Sequence, residues 1–170
     1  MSLRHAILGL LDLQPMTGYD LKKTFDSTAG HFWAADRSQI YRTLGVLRAE
    51  GLVEEEVIHQ RSRPDRHEYR LTEAGSAELD GWLRSPAPTE PPREAFLARI
   101  YFAGRTDDPQ LVRALVEERR AMVKERLSEL RAIEAPTSAL PERLRALTLR
   151  NGIAHLETEL TWLDELEEVL

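Results

Sequence analysis

The sequence contains no cysteine, which excludes disulfide bonds, thiolate metal sites and a cysteine nucleophile. It also has no apolar run of the length that a transmembrane helix requires, so we expect no membrane partner. Aromatic residues make up only 6% of the chain, yet apolar residues reach 42%, which is enough for a core. The lack of cysteine fits a reducing cytoplasm, which is the expected location.

An excess of positive charge is missing as well, since the net charge is −6. Residues 1–85 contain 11 basic and 13 acidic residues, and the remainder contains 12 and 16. Neither half is basic, so a nucleic-acid partner would require a local basic patch rather than a basic domain.

The common catalytic motifs are also missing. The sequence has no glycine-rich phosphate loop, no Gly-x-Ser-x-Gly elbow and no His-Glu-x-x-His motif. Its five histidines are widely spaced, and no pair has the helical i, i+4 spacing of metal ligands. We therefore expect no enzyme, no catalytic residues, no cofactor and no metal, although a histidine and carboxylate sensor assembled from distant residues stays open.

The most informative stretch of the chain predicts a short amphipathic helix. Its apolar residues recur at i, i+4 and i+7, and they are Ile40, Leu44 and Leu47. Asp36 and Gln39 have the spacing of a capping box at its start, and Gly51 ends it. The opposite, polar face presents Ser38, Gln39, Tyr41 and Arg42. Such a helix can enter the major groove of DNA.

The neighbouring segments predict a winged helix-turn-helix arrangement. The predicted helices and strands around the polar helix are Leu3–Leu13, Gly18–Thr28 with Thr17 as cap, strands Leu52–Gln60 and Arg66–Leu71, and Glu73–Leu83 with Thr72 as cap. The turn between the strands is basic, with Arg61, Arg63 and Arg66 at or beside it. This hairpin supplies the local positive charge that the net charge conceals.

A proline-rich stretch at residues 85–92 predicts the domain boundary, because four prolines in eight residues favour an extended spacer. We therefore expect a DNA-binding domain at 1–84, a linker at 85–92 and a helical domain at 93–170. The helical domain is predicted to contain Arg93–Ala103, a long helix from Pro109 to about Ile133, and a last helix that begins between Ser138 and Pro141 and ends near Glu168.

The last helix carries apolar residues at the 4-3-4-3 spacing of a coiled-coil seam, and a second row widens the apolar face. The expected interface residues are Leu149, Ile153, Leu156, Leu160, Leu163 and Leu166. A seam of this kind requires a partner helix. The three helices could pack only on each other, but we expect at least part of the seam to pair with a second chain, because two-fold dimers are the commonest assembly.

The first half of the chain resembles the PadR family of bacterial transcriptional regulators over about residues 3–84. The residues that carry the resemblance are Gly9-Leu10-Leu11, Gly18-Tyr19-Asp20-Leu21, Ser38-Gln39-Ile40-Tyr41-Arg42-Thr43-Leu44, Leu47, Glu50-Gly51-Leu52-Val53, Tyr69-Arg70-Leu71-Thr72-Glu73-Ala74-Gly75 and Trp82-Leu83. The second half is similar to the family's helical dimerisation region in architecture rather than in motif.

The resemblance implies a fold and a function. The expected fold is mainly α with a small β-hairpin wing, in which a winged helix-turn-helix domain precedes an antiparallel helical dimerisation domain. The expected protein is a homodimer that binds a palindromic operator on double-stranded DNA, usually as a repressor, and that a small molecule releases. The first helix of the chain would join the dimer interface.

Under this interpretation the candidate DNA contacts divide into three groups. Arg42 and Gln39 would contact base edges, because arginine pairs bidentately with guanine and glutamine with adenine. The expected contacts to the DNA backbone are Ser38, Tyr41, Thr17, Tyr19 and Lys22. The wing arginines Arg61, Arg63 and Arg66 would clamp phosphates or enter the minor groove. The acidic run Glu54–Glu56 would be a solvated strand facing away from DNA, since it would otherwise repel the duplex.

An effector site is less clearly marked. Trp33, Trp82 and Trp162 are candidates for lining a cavity between the winged domain and the helices, although tryptophans in these places could simply be core. The alternative function is a winged-helix module that binds protein without sequence-specific DNA binding. The basic hairpin and Arg42 favour DNA, because a protein-binding module requires neither.

Overall fold

The structure is a computed structural model, and it describes residues 3–28, 35–59, 65–86 and 94–170. The chain forms two compact units, Met1–Thr89 and Glu90–Leu170. Within the described residues the fold is mainly helical with one small antiparallel sheet, which confirms the predicted fold class. None of the helices described combines the length and apolar character that crossing a membrane requires. Most of the predicted linker at 85–92 lies outside the described residues.

The first unit alternates helices with short strands. In chain order they are α1 (Leu3–Leu13), β1 (Met16–Thr17), α2 (Gly18–Thr28), α3 (Arg37–Ala49), β2 (Val53–Ile58), β3 (Arg66–Leu71) and α4 (Glu73–Arg84). All four helices lie where the sequence predicts them, with ends that differ by a residue or two. Local hydrogen bonds fix where α2, α3 and α4 begin. The side chains of the capping residues Thr17, Asp36 and Thr72 each accept a hydrogen bond from the backbone N–H at the third helical position.

The core of the first unit forms where the apolar faces of its helices meet. Helix α1 contacts α3, α4 and β3, so it lies at the centre of the unit. The side chains with no exposed surface are Ile7, Leu8, Leu21, Phe25, Ile40, Leu44 and Leu47. Three of them belong to α3, so the predicted apolar face of that helix is its anchor in the fold.

The sheet has the strand order β1-β3-β2, and both pairings are antiparallel. In the β2–β3 hairpin the register runs from Val53 opposite Leu71 to Ile58 opposite Arg66. The third strand, β1, was not predicted from the sequence, because two residues are too short to show a periodic pattern. It pairs with β3 and thereby joins the start of α2 to the wing.

The second unit consists of α5 (Ala95–Ala103), a 3₁₀ turn (Gly104–Thr106), α6 (Pro109–Arg131) and α7 (Leu140–Glu168). Asp108 caps α6 by accepting hydrogen bonds from the backbone of Gln110 and Leu111 at 3.0 and 3.2 Å. Helices α6 and α7 are antiparallel, since Arg120 contacts Glu167 at 2.8 Å and Arg131 contacts Glu157 at 2.6 Å.

The core of the second unit lies mainly between α6 and α7. Val116 and Leu163 have no exposed surface, and Val112 and Ala103 are also buried. Residues of α5 pack against this cluster, so the predicted three-helix arrangement is present in one chain.

Candidate nucleic-acid interface

The start of α3 is fixed by the capping box that the sequence predicts. Oδ1 of Asp36 accepts from the backbone N–H of Gln39 at 2.8 Å, and Oε1 of Gln39 accepts from the N–H of Asp36 at 2.9 Å. The hydroxyl of Ser38 donates to the same Asp36 oxygen at 2.7 Å. The backbone hydrogen bond from Gln39 and the hydroxyl of Ser38 lower the pKa of Asp36 below its ordinary value. The helix therefore begins at a fixed place.

Arg42 projects from the exposed face of this anchored helix. Its neighbours along the chain include Ile40 and Leu44, which are fully buried, so the helix cannot turn without opening the core. Arg42 is exposed, and no described residue forms a hydrogen bond or an ion pair with it, although its charge contributes to lowering the pKa of Asp36. Among the predicted base-contacting side chains it is the one whose hydrogen-bonding groups are unused within the described part of the chain.

Gln39 has the capping position that the sequence predicts, so its side chain is engaged at the start of the helix. Its side-chain carbonyl already accepts from Asp36, whereas a bidentate contact with adenine requires both the carbonyl and the amide nitrogen. The two roles that the sequence assigns to Gln39, helix cap and adenine reader, therefore use the same oxygen, which has a second lone pair for a further hydrogen bond. The cap leaves the amide nitrogen of Gln39 available to donate to a partner.

The start of α2 brings two predicted contact residues to one carboxylate. The N–H of Asp20 donates to the hydroxyl of Thr17 at 3.0 Å, and that hydroxyl donates to Oδ2 of Asp20 at 2.8 Å. Arg66, on β3, lies 3.6 Å from Oδ2 of Asp20 and 3.1 Å from Oε1 of Glu68. Arg66 is therefore paired inside the unit, unlike Arg42. Lys22, also on α2, forms an ion pair with Asp26.

The two tyrosines predicted at the DNA backbone differ in surroundings. Tyr19 is 64% exposed, whereas Tyr41 is 39% exposed because its ring covers the start of α2. A Cβ on Gly18 would lie 2.7 Å from the Tyr41 ring, so only glycine fits there with the ring in place. The guanidinium of Arg37 lies 5.5 Å from the centre of that ring. The sequence did not reveal this junction between α2 and α3.

The wing is described only in part. Arg61 and Arg63 lie outside the described residues, so their role as phosphate clamps stays a prediction. In the described strands the acidic run does not behave as one solvated face. Glu54 and Glu56 are exposed and Glu56 pairs with Arg70 at 3.0 Å, but Glu55 is half-buried. The prediction of a simple solvated strand is therefore wrong for Glu55.

Glu55 is the centre of a polar cluster that the sequence did not reveal. Its Oε1 lies 2.8 Å from Nδ1 of His67 and 3.4 Å from the hydroxyl of Tyr69, and its Oε2 pairs with Arg48. Burial works against ionisation of Glu55, but the hydrogen bonds from His67 and Arg48 outweigh it, and its pKa lies below the ordinary value. Burial and the Glu55 charge raise the pKa of Tyr69.

The tryptophans proposed for an effector site lie in different places. Trp82 is half-buried, packs against the core of the first unit and stacks on His5 at a centroid distance of 4.9 Å. Trp162 packs against the core of the second unit, with its ring edge-on to Phe96 at 6.2 Å. Trp33 lies outside the described residues. Both described rings contribute to packing, and an effector site stays a prediction.

The six predicted interface residues of α7 fall into two groups that differ in burial. Leu163 is fully buried and Leu149 is 7% exposed, so both pack mainly inside their own chain, and their place in a dimer interface stays a prediction. The remaining four are half-buried, and they are Ile153, Leu156, Leu160 and Leu166. Heptad spacing alone could not tell these groups apart, because α6 of the same chain satisfies part of the seam.

Apolar side chains outside the seam are more exposed. On α7 they are Leu140, Leu144 and Leu147, between 55% and 61% exposed. On α5, Tyr101 is 82% and Phe102 is 69% exposed. Within the described ranges no group of three or more histidine, aspartate or glutamate side chains is arranged to hold a metal ion.

The geometry of the first unit defines a class of protein. Helices α2 and α3 followed by an antiparallel hairpin form a winged helix-turn-helix, in which α3 has the place of the recognition helix. Residues 7–81 match the model of the transcriptional regulator PadR-like family. Residues 92–170 match the model described as the C-terminal region of virulence activator alpha.

Whole-length relatives agree with these matches. A probable transcriptional regulator of Mycobacterium tuberculosis is 37% identical over 189 residues, covering 100% of this chain and 98% of that protein. The negative transcriptional regulator PadR of Bacillus subtilis is 30% identical over 173 residues, covering 96% of this chain and 94% of that protein. The chain therefore belongs to the PadR-like family of transcriptional regulators, and the resemblance seen in its sequence is confirmed.

Solved structures of Bacillus subtilis PadR are similar along the whole chain. Its complex with operator DNA has a TM-score of 0.83 at 28% identity, covering 99% of this chain and 97% of that chain. Its complex with p-coumaric acid has a TM-score of 0.73 at 30% identity, covering 96% and 95%. That protein thus binds both operator DNA and p-coumaric acid.

Proposed function

We propose that this protein is a homodimeric repressor that binds a palindromic operator on double-stranded DNA and that a small molecule releases. Its family supports regulation of transcription, and the relative solved with operator DNA supports DNA as the partner. The observation that carries the proposal is the exposed Arg42, which forms no hydrogen bond or ion pair with the described residues, on a helix anchored by three fully buried side chains. A rigid helix that presents a free guanidinium is suited to reading guanine.

In this proposal Arg42 is the principal base-reading residue, and Gln39 contributes its amide nitrogen and the second lone pair of its carbonyl oxygen. The residues proposed to contact the DNA backbone are Thr17, Tyr19, Lys22, Ser38 and Tyr41. Arg61 and Arg63 would contact phosphates or the minor groove from the wing. Arg66 would do so only by exchanging its pairing with Asp20 and Glu68, so we assign it a smaller share of the affinity.

The second unit is proposed to hold two chains together. Its exposed apolar side chains on α5 and α7 resemble an interface more than a solvated surface. The half-buried seam residues, Leu156 and Leu160 among them, would contribute at its edge. Residues 1–84 would then be the DNA-binding domain, 85–92 the linker and 93–170 the dimerisation domain.

The dimer is tested by introducing charge at exposed apolar positions that do not belong to the chain's own core. Leu144→Glu with Leu147→Glu should reduce the mass measured by light scattering to that of one chain, with helicity unchanged. Arg143→Glu places the same new carboxylate at an exposed polar position of the same helix, so it is the control and should keep the mass of wild type. A double variant with the mass of wild type would contradict this interface.

A small-molecule effector is proposed because the similar Bacillus protein is solved with p-coumaric acid. The tryptophans at positions 33, 82 and 162 are the proposed contacts. Titration of p-coumaric acid and related aromatic acids should quench tryptophan fluorescence and weaken DNA binding, and single tryptophan-to-phenylalanine variants would identify the ring involved. We also propose that the protein acts in the cytoplasm and catalyses no reaction.

The test of the function is footprinting of the purified protein on fragmented DNA of its host. The proposal predicts protection of an inverted repeat whose half-sites are one helical turn, or a multiple of it, apart. Protection without sequence preference that disappears with moderate salt would contradict it. The alternative, a module that binds protein, would be favoured if charge-reversed wing residues left the partners recovered from cells unchanged.

A further inference from the structure

Glu55 connects two elements that the proposed function places against DNA. It belongs to β2 of the wing, and its carboxylate pairs with Arg48 in the last turn of the recognition helix α3. The same carboxylate contacts His67 at 2.8 Å and the hydroxyl of Tyr69 at 3.4 Å, both on β3. One side chain therefore joins α3 to both strands of the hairpin.

The surroundings of Glu55 set it apart from the acidic residues beside it. Its side chain is 16% exposed, whereas that of Glu56 is 56% exposed. Strand alternation explains the difference, because Glu55 shares a face with Val53 and the cross-strand residue Tyr69, which pack at the core. Glu54 and Glu56 are on the other face. An ionised carboxylate with so little exposure to solvent depends on its hydrogen-bonding and charged partners, so it is stabilised only if those partners stay in place.

We propose that Glu55 is a positioning residue that fixes the wing relative to the recognition helix, so that both meet DNA in one preset arrangement. The inference rests on the proposed DNA-binding function. Only Glu50, Gly51 and Leu52 separate α3 from β2, and the backbone N–H of Leu52 donates to the carbonyl of Leu47 at 2.9 Å, so the base of the hairpin is attached to α3. Glu55 adds a side-chain attachment farther along the hairpin. Two points of attachment in the free protein lower the ordering cost of binding.

A purely electrostatic role for Glu55 predicts the opposite result from a positioning role. If the carboxylate acted only as a negative charge near DNA, its removal would strengthen binding, because phosphates repel it. If it holds the wing in place, its removal weakens binding although a repelling charge is lost. The sign of the effect therefore separates the two.

The experiment compares Glu55→Gln with Glu56→Gln, which removes the same charge from the adjacent, exposed position. Binding to the operator fragment found by footprinting, and to a scrambled fragment, is measured by fluorescence anisotropy. Glu55→Gln should weaken operator binding roughly tenfold, a size common for coupled neighbouring residues, and should change scrambled DNA much less. Glu56→Gln should bind the operator as tightly as wild type or more tightly. Equal or tighter operator binding by Glu55→Gln would overturn the proposal.

A second variant protects the test against loss of folding. Arg48→Met removes the partner on α3 at a side chain that is 56% exposed, so the fold should tolerate it. It should weaken operator binding to a similar extent, and the double variant with Glu55→Gln should be little worse than either alone. Wild-type binding by folded Arg48→Met, or additive losses in the double variant, would overturn the coupling. If wild type shows no preference for any DNA sequence, the proposed function is wrong. If wild type, Glu56→Gln and Glu55→Gln all prefer the operator to the same extent, only the positioning role of Glu55 is wrong.

Discussion

Gly75 provides the sharpest test of the packing in the first unit. A Cβ at this position would lie 2.1 Å from the carbonyl oxygen of Leu52 and 2.7 Å from Cδ1 of Leu71. The Leu52 carbonyl is not free to move, because it accepts the backbone N–H of Thr72 at 3.2 Å. Gly75→Ala must therefore displace the start of α4 from the connection that precedes the wing.

The expected cost follows from these contacts. Overpacking a filled site costs about 1–3 kcal/mol, and weakening the Thr72 hydrogen bond adds about 0.5–1.5 kcal/mol. Against this, alanine is favoured over glycine in a helix by at most about 1 kcal/mol. We expect Gly75→Ala to lower the free energy of unfolding of the first unit by about 1–3 kcal/mol when these effects are combined.

Gly81 is the matched control, because it lies on the same helix with nothing within 4 Å of the position of its Cβ. Gly81→Ala should raise the free energy of unfolding by about 0.5–1 kcal/mol, the ordinary gain in helix propensity. Urea denaturation followed by circular dichroism compares both variants with wild type. A Gly75→Ala protein as stable as Gly81→Ala would refute the close approach of α4 to Leu52.

Two further predictions concern stability. The pKa of Asp36 is lowered from 3.8 in the folded protein, so the ionised carboxylate stabilises the fold above pH 3.8, and this stability is lost as the pH falls through the lower folded pKa. Urea denaturation between about pH 6 and pH 2.5 should therefore show that Asp36→Asn loses less of its free energy of unfolding in acid than wild type does. An equal loss in both proteins would contradict the cap. Leu163→Ala should cost about 2–5 kcal/mol in urea denaturation because it empties a fully buried site. Met122→Ala, at a site of α6 that is 56% exposed and outside the proposed interface, should change the free energy of unfolding by no more than about 0.5 kcal/mol, and equal costs would contradict the assignment of the core.

Local signals in the sequence were sufficient for most of the fold. Helix caps depend on residues three positions apart, so the box at Asp36 and Gln39 and the cap at Thr72 were visible without the structure. The buried face of α3 followed from spacing for the same reason. Periodicity reports neighbours along one element, which is why helices were located well and the two-residue strand β1 was missed.

The parts of the site that depend on distant residues were not visible in the sequence. Glu55 and His67 are twelve positions apart, and only the register of the hairpin brings them together. The contact between Gly18 and the Tyr41 ring depends on how α2 packs on α3. The seam of α7 showed a similar ambiguity, since a heptad pattern indicates that a partner helix exists but not which chain supplies it.

We propose that Arg42, on an anchored recognition helix, reads the operator, and one binding measurement tests this role directly. Affinities of wild type, Arg42→Ala and the control Arg84→Ala, which loses the same charge at the end of α4, are compared on the footprinted operator and on scrambled DNA. Arg42→Ala should weaken operator binding by about 1–3 kcal/mol and relax the preference at one base pair, while Arg84→Ala retains it. Equal operator affinity and unchanged base preference for Arg42→Ala and wild type would contradict the assignment of Arg42 as the base-reading residue.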